Sequence, residues 1–352
     1  MPSQPASPPL LAPYLSSLPQ SSLTLVSSIL GATSNWLVLR FLHAALSSSS
    51  NQNAASELET VQNGAKRKVV FVSFMRSFEF WKSEAKRLGL DLARLADKQQ
   101  FAFVDGLSEL FYRPQVSSTP ASAASPAGRG SSTPRTTLPL RSQPGPLPGR
   151  SPQSPATAPG GGGIAPRSQT ELGVAKKLHF SGRGTAALDA LESDIVSVMQ
   201  QLKTSTEDGD ELLLIVDQPD LLLATTGPTL GIGATEMAEW VTGLQQHAHA
   251  TVLTMAADSP LIHNVSVSGP GGHLPAPIET EHAGFAIGLA HRARSVMQLR
   301  TLETGVARDV SGVLRISAGG GWIAGQDDSP EKEVLYYIQR DGGVRVFGRG
   351  ES

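Results

Sequence analysis

Proline is spread so unevenly along this chain that it decides which residues can share a core. Of the 25 prolines in 352 residues, six fall within residues 1–20 and twelve within 113–170, leaving seven elsewhere. Each proline fixes φ and removes a backbone donor, so helix interiors and central strands exclude it. The 113–170 segment is otherwise rich in Ser, Ala, Thr and Gly, including four consecutive glycines at 160–163. Such a composition buries too little apolar surface to offset its ordering entropy, and it predicts disorder. On the same grounds residues 1–20 read as a disordered tail, and 47–65 (SSSSNQNAASELETVQNGA) as a flexible solvated loop. Folding is left to residues 21–112 and 171–352, which read as two parts of one domain.

Charge follows the same division. The insert holds Arg113, Arg129, Arg135, Arg141, Arg150 and Arg167 with no Asp or Glu, a charge of +6. The whole chain carries 29 Lys+Arg against 31 Asp+Glu, so the remainder stands at −8, and the net −2 averages a basic tether with an acidic body. Scattered arginines can meet phosphates. No aromatic residue lies among them, so base stacking is unsupported and a solvated linker is the plainer reading. The absence of cysteine excludes disulfides, a thiolate nucleophile and cysteine zinc sites. No apolar run reaches the roughly 18–20 residues of a membrane span. The first residues lack the basic start of a secretory signal. A soluble intracellular protein without membrane contact is the expectation.

The two parts read as one alternating series. Strands are predicted at 23–29 (LTLVSSI), 68–74 (KVVFVSF) and 101–105 (FAFVD), with a helix over 35–46. Ser77 can cap a further helix that ends near Lys86, Arg87 and Gly89. Beyond the insert, Leu188, Leu191, Ile195, Val198 and Leu202 recur at helical spacing and predict a helix over 185–202. A strand at 211–217 (ELLLIVD) follows, then an amphipathic helix marked by Met237, Trp240, Val241, Leu244 and Ala248, a strand at 251–256 and a helix at 279–292. The end is β-rich at 295–302, 312–317, 333–338 and 344–347, with Asp341-Gly342-Gly343 as a hairpin turn. Such a series predicts an α/β fold: a mostly parallel sheet flanked by helices, with a β-rich C-terminal edge.

Open α/β sheets bind ligands at the carboxyl ends of their strands. After the first strand comes Leu30-Gly31-Ala32-Thr33-Ser34-Asn35-Trp36, where a phosphate-binding loop would lie. That loop needs glycines to turn amides toward phosphate, a lysine for charge and Ser/Thr for magnesium. Gly31, Ala32, Thr33 and Ser34 supply one glycine and no lysine, and the chain contains no Gly-Lys pair. The position therefore reads as a degenerate P-loop. Without the lysine and cradle, phosphoryl transfer loses most of its electrostatic stabilisation, so neither catalysis nor a cofactor is expected.

LLLIVD, ending at Asp217, resembles the acidic strand that helps hold magnesium in such enzymes; Asp105 in FAFVDG invites the same comparison. The plainer reading is a carboxylate that caps a turn. His247 and His249, and His282 and His291, lack a metal-ligand spacing and read as structural or exposed, so no metal is expected. Gly231-Ile232-Gly233 precedes a helix and either receives an anion or only eases the chain into the helix. No G-x-S-x-G elbow supports a serine hydrolase.

Longer blocks carry a resemblance. VVFVSFMRSFEFWKSEAKRLGLDLARL (69–95) and FAFVDGLSELF (101–111) are similar to the Elongator complex protein 6 family, particularly its fungal members. So are LLLIVDQPDLLLATT (212–226), EMAEWVTGLQQHAHATVLTMAADSPLI (236–262) and HRARSVMQLRTLETGVARDVSGVLRIS (291–317). The resemblance covers most of the chain outside the tail and insert. It implies a RecA-like domain without functional Walker motifs, in a six-membered ring holding two copies each of this chain and Elongator proteins 4 and 5. Such a ring joins the catalytic Elongator subunits, binds tRNA and supports wobble-uridine modification in cytoplasm and nucleus. This chain would be a structural and regulatory subunit. Arg292, Arg294 and Arg300 then either face a neighbour's nucleotide site or form surface salt bridges. From a different class comes the alternative of a divergent RecA-like ATPase that uses Asp217 and Asp105 around magnesium.

Overall fold

Apolar runs from both sides of the insert lie side by side in one sheet. The computed structural model describes residues 8–16, 18–47, 67–112, 173–204, 211–262, 275–303, 307–323 and 331–349. The expectations of disorder at 113–170 and of a loop at 47–65 fall outside these residues, apart from Ser47, which ends a helix.

The first part contributes α1 (Ala12–Ser16), β1 (Ser22–Ser28), α2 (Asn35–Ser47), β2 (Arg67–Ser73), α3 (Phe78–Arg87), α4 (Leu92–Asp97) and β3 (Phe101–Asp105). The second begins with β4 (Val174–Lys177), α5 (Gly184–Thr204), β5 (Glu211–Asp217), α6 (Asp220–Thr226), α7 (Ala234–Gln246) and β6 (Ala250–Ala256). It ends with α8 (Ser259–Ile262), α9 (Pro277–Arg292), β7 (Ser295–Arg300), β8 (Gly312–Ala318), β9 (Lys332–Ile338) and β10 (Val344–Phe347). The described strands form a ten-stranded sheet in the order β10-β9-β8-β7-β1-β6-β5-β2-β3-β4. Pairings from β7 through to β4 are parallel, whereas β7, β8, β9 and β10 pair antiparallel in succession. This is an α/β fold with a large, mostly parallel sheet and an antiparallel edge.

Helices cover both faces, which explains why the central strands read as unbroken apolar runs. On one side α1, α2, α3 and α4 enclose a core containing Leu11, Leu37, Phe41, Phe71, Trp81 and Phe103. On the other, α5, α6, α7 and α9 enclose Leu191, Ile195, Val216, Met237, Trp240 and Phe285. Ser77 caps α3 by accepting from the Phe80 amide, and Asp91 caps α4 through the Arg94 amide. The C-terminus of α9 is capped from outside the helix. The amides of Gly319, Gly320 and Gly321 donate to the carbonyls of Arg294, Ala290 and Ala293 at 3.0, 3.1 and 2.9 Å. A Cβ at Gly320 would stand 2.3 Å from the His291 carbonyl oxygen, so the approach requires glycine.

The expected disordered tail is corrected in part. Pro8 and Pro9 lead into a 3-10 turn and α1, and Leu11, Leu15 and Leu18 are buried against the α2 side of the sheet. Proline suits the first turn of a helix, where its missing amide has no partner to lose, so its abundance there did not exclude structure. Four short elements, α4, β4, α6 and α8, also lie beyond the predicted series. Among the described residues, no helix is long and apolar enough to cross a membrane.

Candidate functional site

Three positions singled out by the sequence lie along the carboxyl edge of the parallel strands. After β1 the chain turns tightly, with Ala32 donating to the Ile29 carbonyl at 2.9 Å and Gly31 at φ +90°. The Leu30 amide donates to Asp258 Oδ1 at 2.9 Å. Two amides that a phosphate cradle would turn inward are thus used within the protein. Ser34 is buried, and its carbonyl accepts from Leu37 and Val38 at the start of α2.

Asp217 ends β5 in register with Ser73 of β2 and Thr254 of β6. Its Oδ2 accepts from Ser73 Oγ and its Oδ1 from Thr254 Oγ1, both at 2.8 Å. The two hydroxyls in turn accept from the backbone amides of Arg76 and Gln218, each at 3.1 Å. The residue is 2% exposed. Burial pushes its carboxyl up to about 6, against the downward pull of both hydroxyls and of the Arg76 charge. Desolvation dominates because the carboxyl is buried at the sheet edge, and a carboxylate held this way ties three strands together.

One strand beyond Ser73, Asp105 ends β3. It accepts from the amides of Leu107 and Ser108 at 2.8 and 2.9 Å and from Ser108 Oγ at 2.6 Å, which is turn capping. A further buried acid, Asp220, was not singled out by the sequence. Its Oδ2 accepts from the Ala256 amide at 3.1 Å and faces His282 Nε2 at 3.3 Å, while His282 Nδ1 faces the Leu261 carbonyl at 3.1 Å. His282 is therefore a structural histidine joining α6, α8 and α9. For the Asp217 network the sequence signal is a hydroxyl residue, Ser73 or Thr254, near the end of an apolar strand.

Arg292, Arg294 and Arg300 do not converge. Arg292 reaches back from α9 to α7, donating to Thr242 Oγ1 and, at 3.0 Å, to the Ala238 carbonyl. Arg294 lies at the amino end of β7 and Arg300 at its carboxyl end. Arg300 pairs with Glu333 at 2.7 Å and also with Glu303, and these carboxylates raise its pKa. Arg292 and Arg300 are thus engaged within the chain, the salt-bridging reading in the case of Arg300. His249 Nε2 lies 3.2 Å from the Leu18 carbonyl and 3.7 Å from Glu211. Among the described residues no group of three or more potential metal ligands occurs. The start of α7 carries its own anions: the Gly233 amide donates to Glu236 at 2.9 Å and the Ala234 amide to Glu281 at 2.7 Å.

Apolar side chains stand out on this same edge. Leu30 after β1 is 89% exposed, Met75 after β2 42% and Leu107 after β3 45%, and Phe111 and Tyr112 follow in the same loop. Isolated exposed apolar residues are ordinary, but their recurrence at the ends of three parallel strands, two of them adjacent, suits a surface covered by protein. The chain matches no protein-family model and no curated protein.

Proposed function

We propose that this chain is a non-catalytic, RecA-like subunit of the Elongator accessory ring, assembling with Elongator proteins 4 and 5. The ring binds tRNA and supports wobble-uridine modification by the catalytic subunits. The reading rests on the sequence blocks named above, and one structural observation carries it further. Where a RecA-like ATPase would hold nucleotide and magnesium, the β1–α2 turn offers one glycine and no lysine, and Asp217 is buried beneath two hydroxyls. Exposed Leu30, Met75 and Leu107 line the same edge, which supports protein contact there in place of phosphate chemistry. The turn at Gly31, Ala32, Thr33 and Ser34 is then a degenerate P-loop. Asp217 acts as a structural relic of an acidic strand, and this subunit needs no cofactor.

The ATPase alternative requires Asp217 and Asp105 free to hold magnesium, and both carboxylates already have partners on neighbouring groups. Affinity purification of the full chain from its own cells tests the reading. Elongator proteins 4 and 5 should co-purify, and the isolated chain should hydrolyse no ATP. Recovery without those partners would contradict the proposal, as would ATP turnover abolished by Asp217→Ala.

A further inference from the structure

The antiparallel end of the sheet has two faces, and the two cores cover them unequally. Alternate side chains of each strand point to opposite sides. Leu299, Leu314, Val334, Tyr336 and Val344 face the core beneath α2. Leu335, Tyr337 and Phe347 point the other way, are half-buried and join neither core. The helix layer on their side reaches β7, where Val296 packs into the core that α9 encloses. Register sets Phe347 beside Leu335, Leu335 beside the buried Val313 and Val313 beside Arg300, an apolar row across β10, β9 and β8. An antiparallel sheet can turn one face to water, but its outward positions are then polar. Val334-Leu335-Tyr336-Tyr337 is instead apolar on both sides, the pattern of a strand covered on both faces.

Arginines frame the row. Tyr337 stands beside the exposed Arg345, and the exposed Arg315 lies between Glu333 and Gln298. Glu333 pairs with Arg300 at 2.7 Å and also with Arg349. The Arg300 hydrogen bond and the charges of Arg349 and Arg315 hold its carboxyl below the usual range. Glu331, just before β9, accepts from the Ala318 amide at 3.3 Å. Among the described residues Arg315 and Arg345 form no ion pair of their own. The rim therefore favours an acidic occupant. A second copy presenting the same face would set arginine against arginine. Nucleic-acid bases need aromatic faces to stack on, whereas the middle of this row is Leu335 and Val313. The strands β8, β9 and β10 span about 10 Å, the width of one helix.

We propose that this face docks an amphipathic helix of a partner protein, its apolar side on Leu335, Tyr337 and Phe347 and its acidic flanks on Arg315 and Arg345. Such a helix continues the layer to which α9 belongs. The assignment does not depend on ring membership.

Site-specific photo-cross-linking of the full-length chain in its own cells tests it. Benzoylphenylalanine replaces Gln298 or Tyr337, which lie on opposite sides of the row, and Gln298 is exposed, so that variant leaves the packing intact. Each should cross-link to one segment of another protein, read by mass spectrometry, with apolar residues at helical spacing and excess acid. A partner other than Elongator proteins 4 and 5 would support the site equally. Arg315→Glu combined with Arg345→Glu alters exposed side chains and should leave the circular dichroism spectrum unchanged. Like charges would then face each other, and the cross-link yield should fall at least about tenfold. Arg315→Lys with Arg345→Lys keeps the charge and should give a smaller loss. Cross-links to RNA, to this chain itself or to a segment without excess acid would overturn the assignment. So would the absence of a cross-link at both positions, or a yield unmoved by the charge reversals.

Discussion

Asp217 ionises against its surroundings, and this gives the protein a pH signature. Burial raises its carboxyl from 3.8 to about 6, so between these values the folded protein holds a proton that the unfolded chain releases. Stability is then greatest below pH 4 as far as this group is concerned, and it falls as pH rises to about 6, by about 3 kcal/mol in all. Asp217→Asn cannot ionise. Urea unfolding of this variant from pH 3.5 to 8 should show that fall flattened and the protein stabilised at pH 8. An unchanged profile would mean that Asp217 titrates normally. The sequence reveals this residue as a strand-end acid, and capping describes Asp105 well. It does not reveal that Ser73 and Thr254 would stand on either side of Asp217, because those partners follow from the register of three strands distant in sequence. Arg292 and Arg300 are read from sequence only as cations near a junction. Their partners, Thr242 and Glu333, come from elements that fold alongside.

Elements with a long period were legible and short ones were not. The five-residue apolar stripe of α5 is long enough for its helical period to show, and the apolar runs of β2, β3 and β5 are marked as strands by their short length and their β-branched and aromatic residues. By contrast β4 spans only Val174–Lys177, and α6 and α8 are similarly brief, so neither propensity nor pattern marks them. Their stability comes from packing on neighbours already in place. The N-terminal segment shows the consequence most clearly. Its proline content predicts disorder, yet Leu11 and Leu15 are 1% and 2% exposed in the core beside α2. Leu15→Ala should therefore cost about 2–5 kcal/mol, read as a lower urea midpoint with unchanged slope. A midpoint equal to that of the unaltered chain would show that the segment does not belong to the core.

The chain as a whole folds around a sheet whose order interleaves early and late strands. Because β6 and β5 enter between β1 and β2, the sheet cannot close until residues beyond the insert arrive. Alternation of strands and helices made the α/β class legible, but nothing local encodes that interleaving. The long insert leaves from the end of β3 and returns at β4, its neighbour in the sheet, so it interrupts the chain between two adjacent strands. At the carboxyl edge the acids are consumed by the fold and apolar side chains remain outside, which suits a subunit that acts through its neighbours. Native mass spectrometry after co-expression with Elongator proteins 4 and 5 tests that claim most directly. A hexamer containing two copies of each protein is expected. This chain at its monomer mass of 37.0 kDa, with the other two assembled without it, would contradict it.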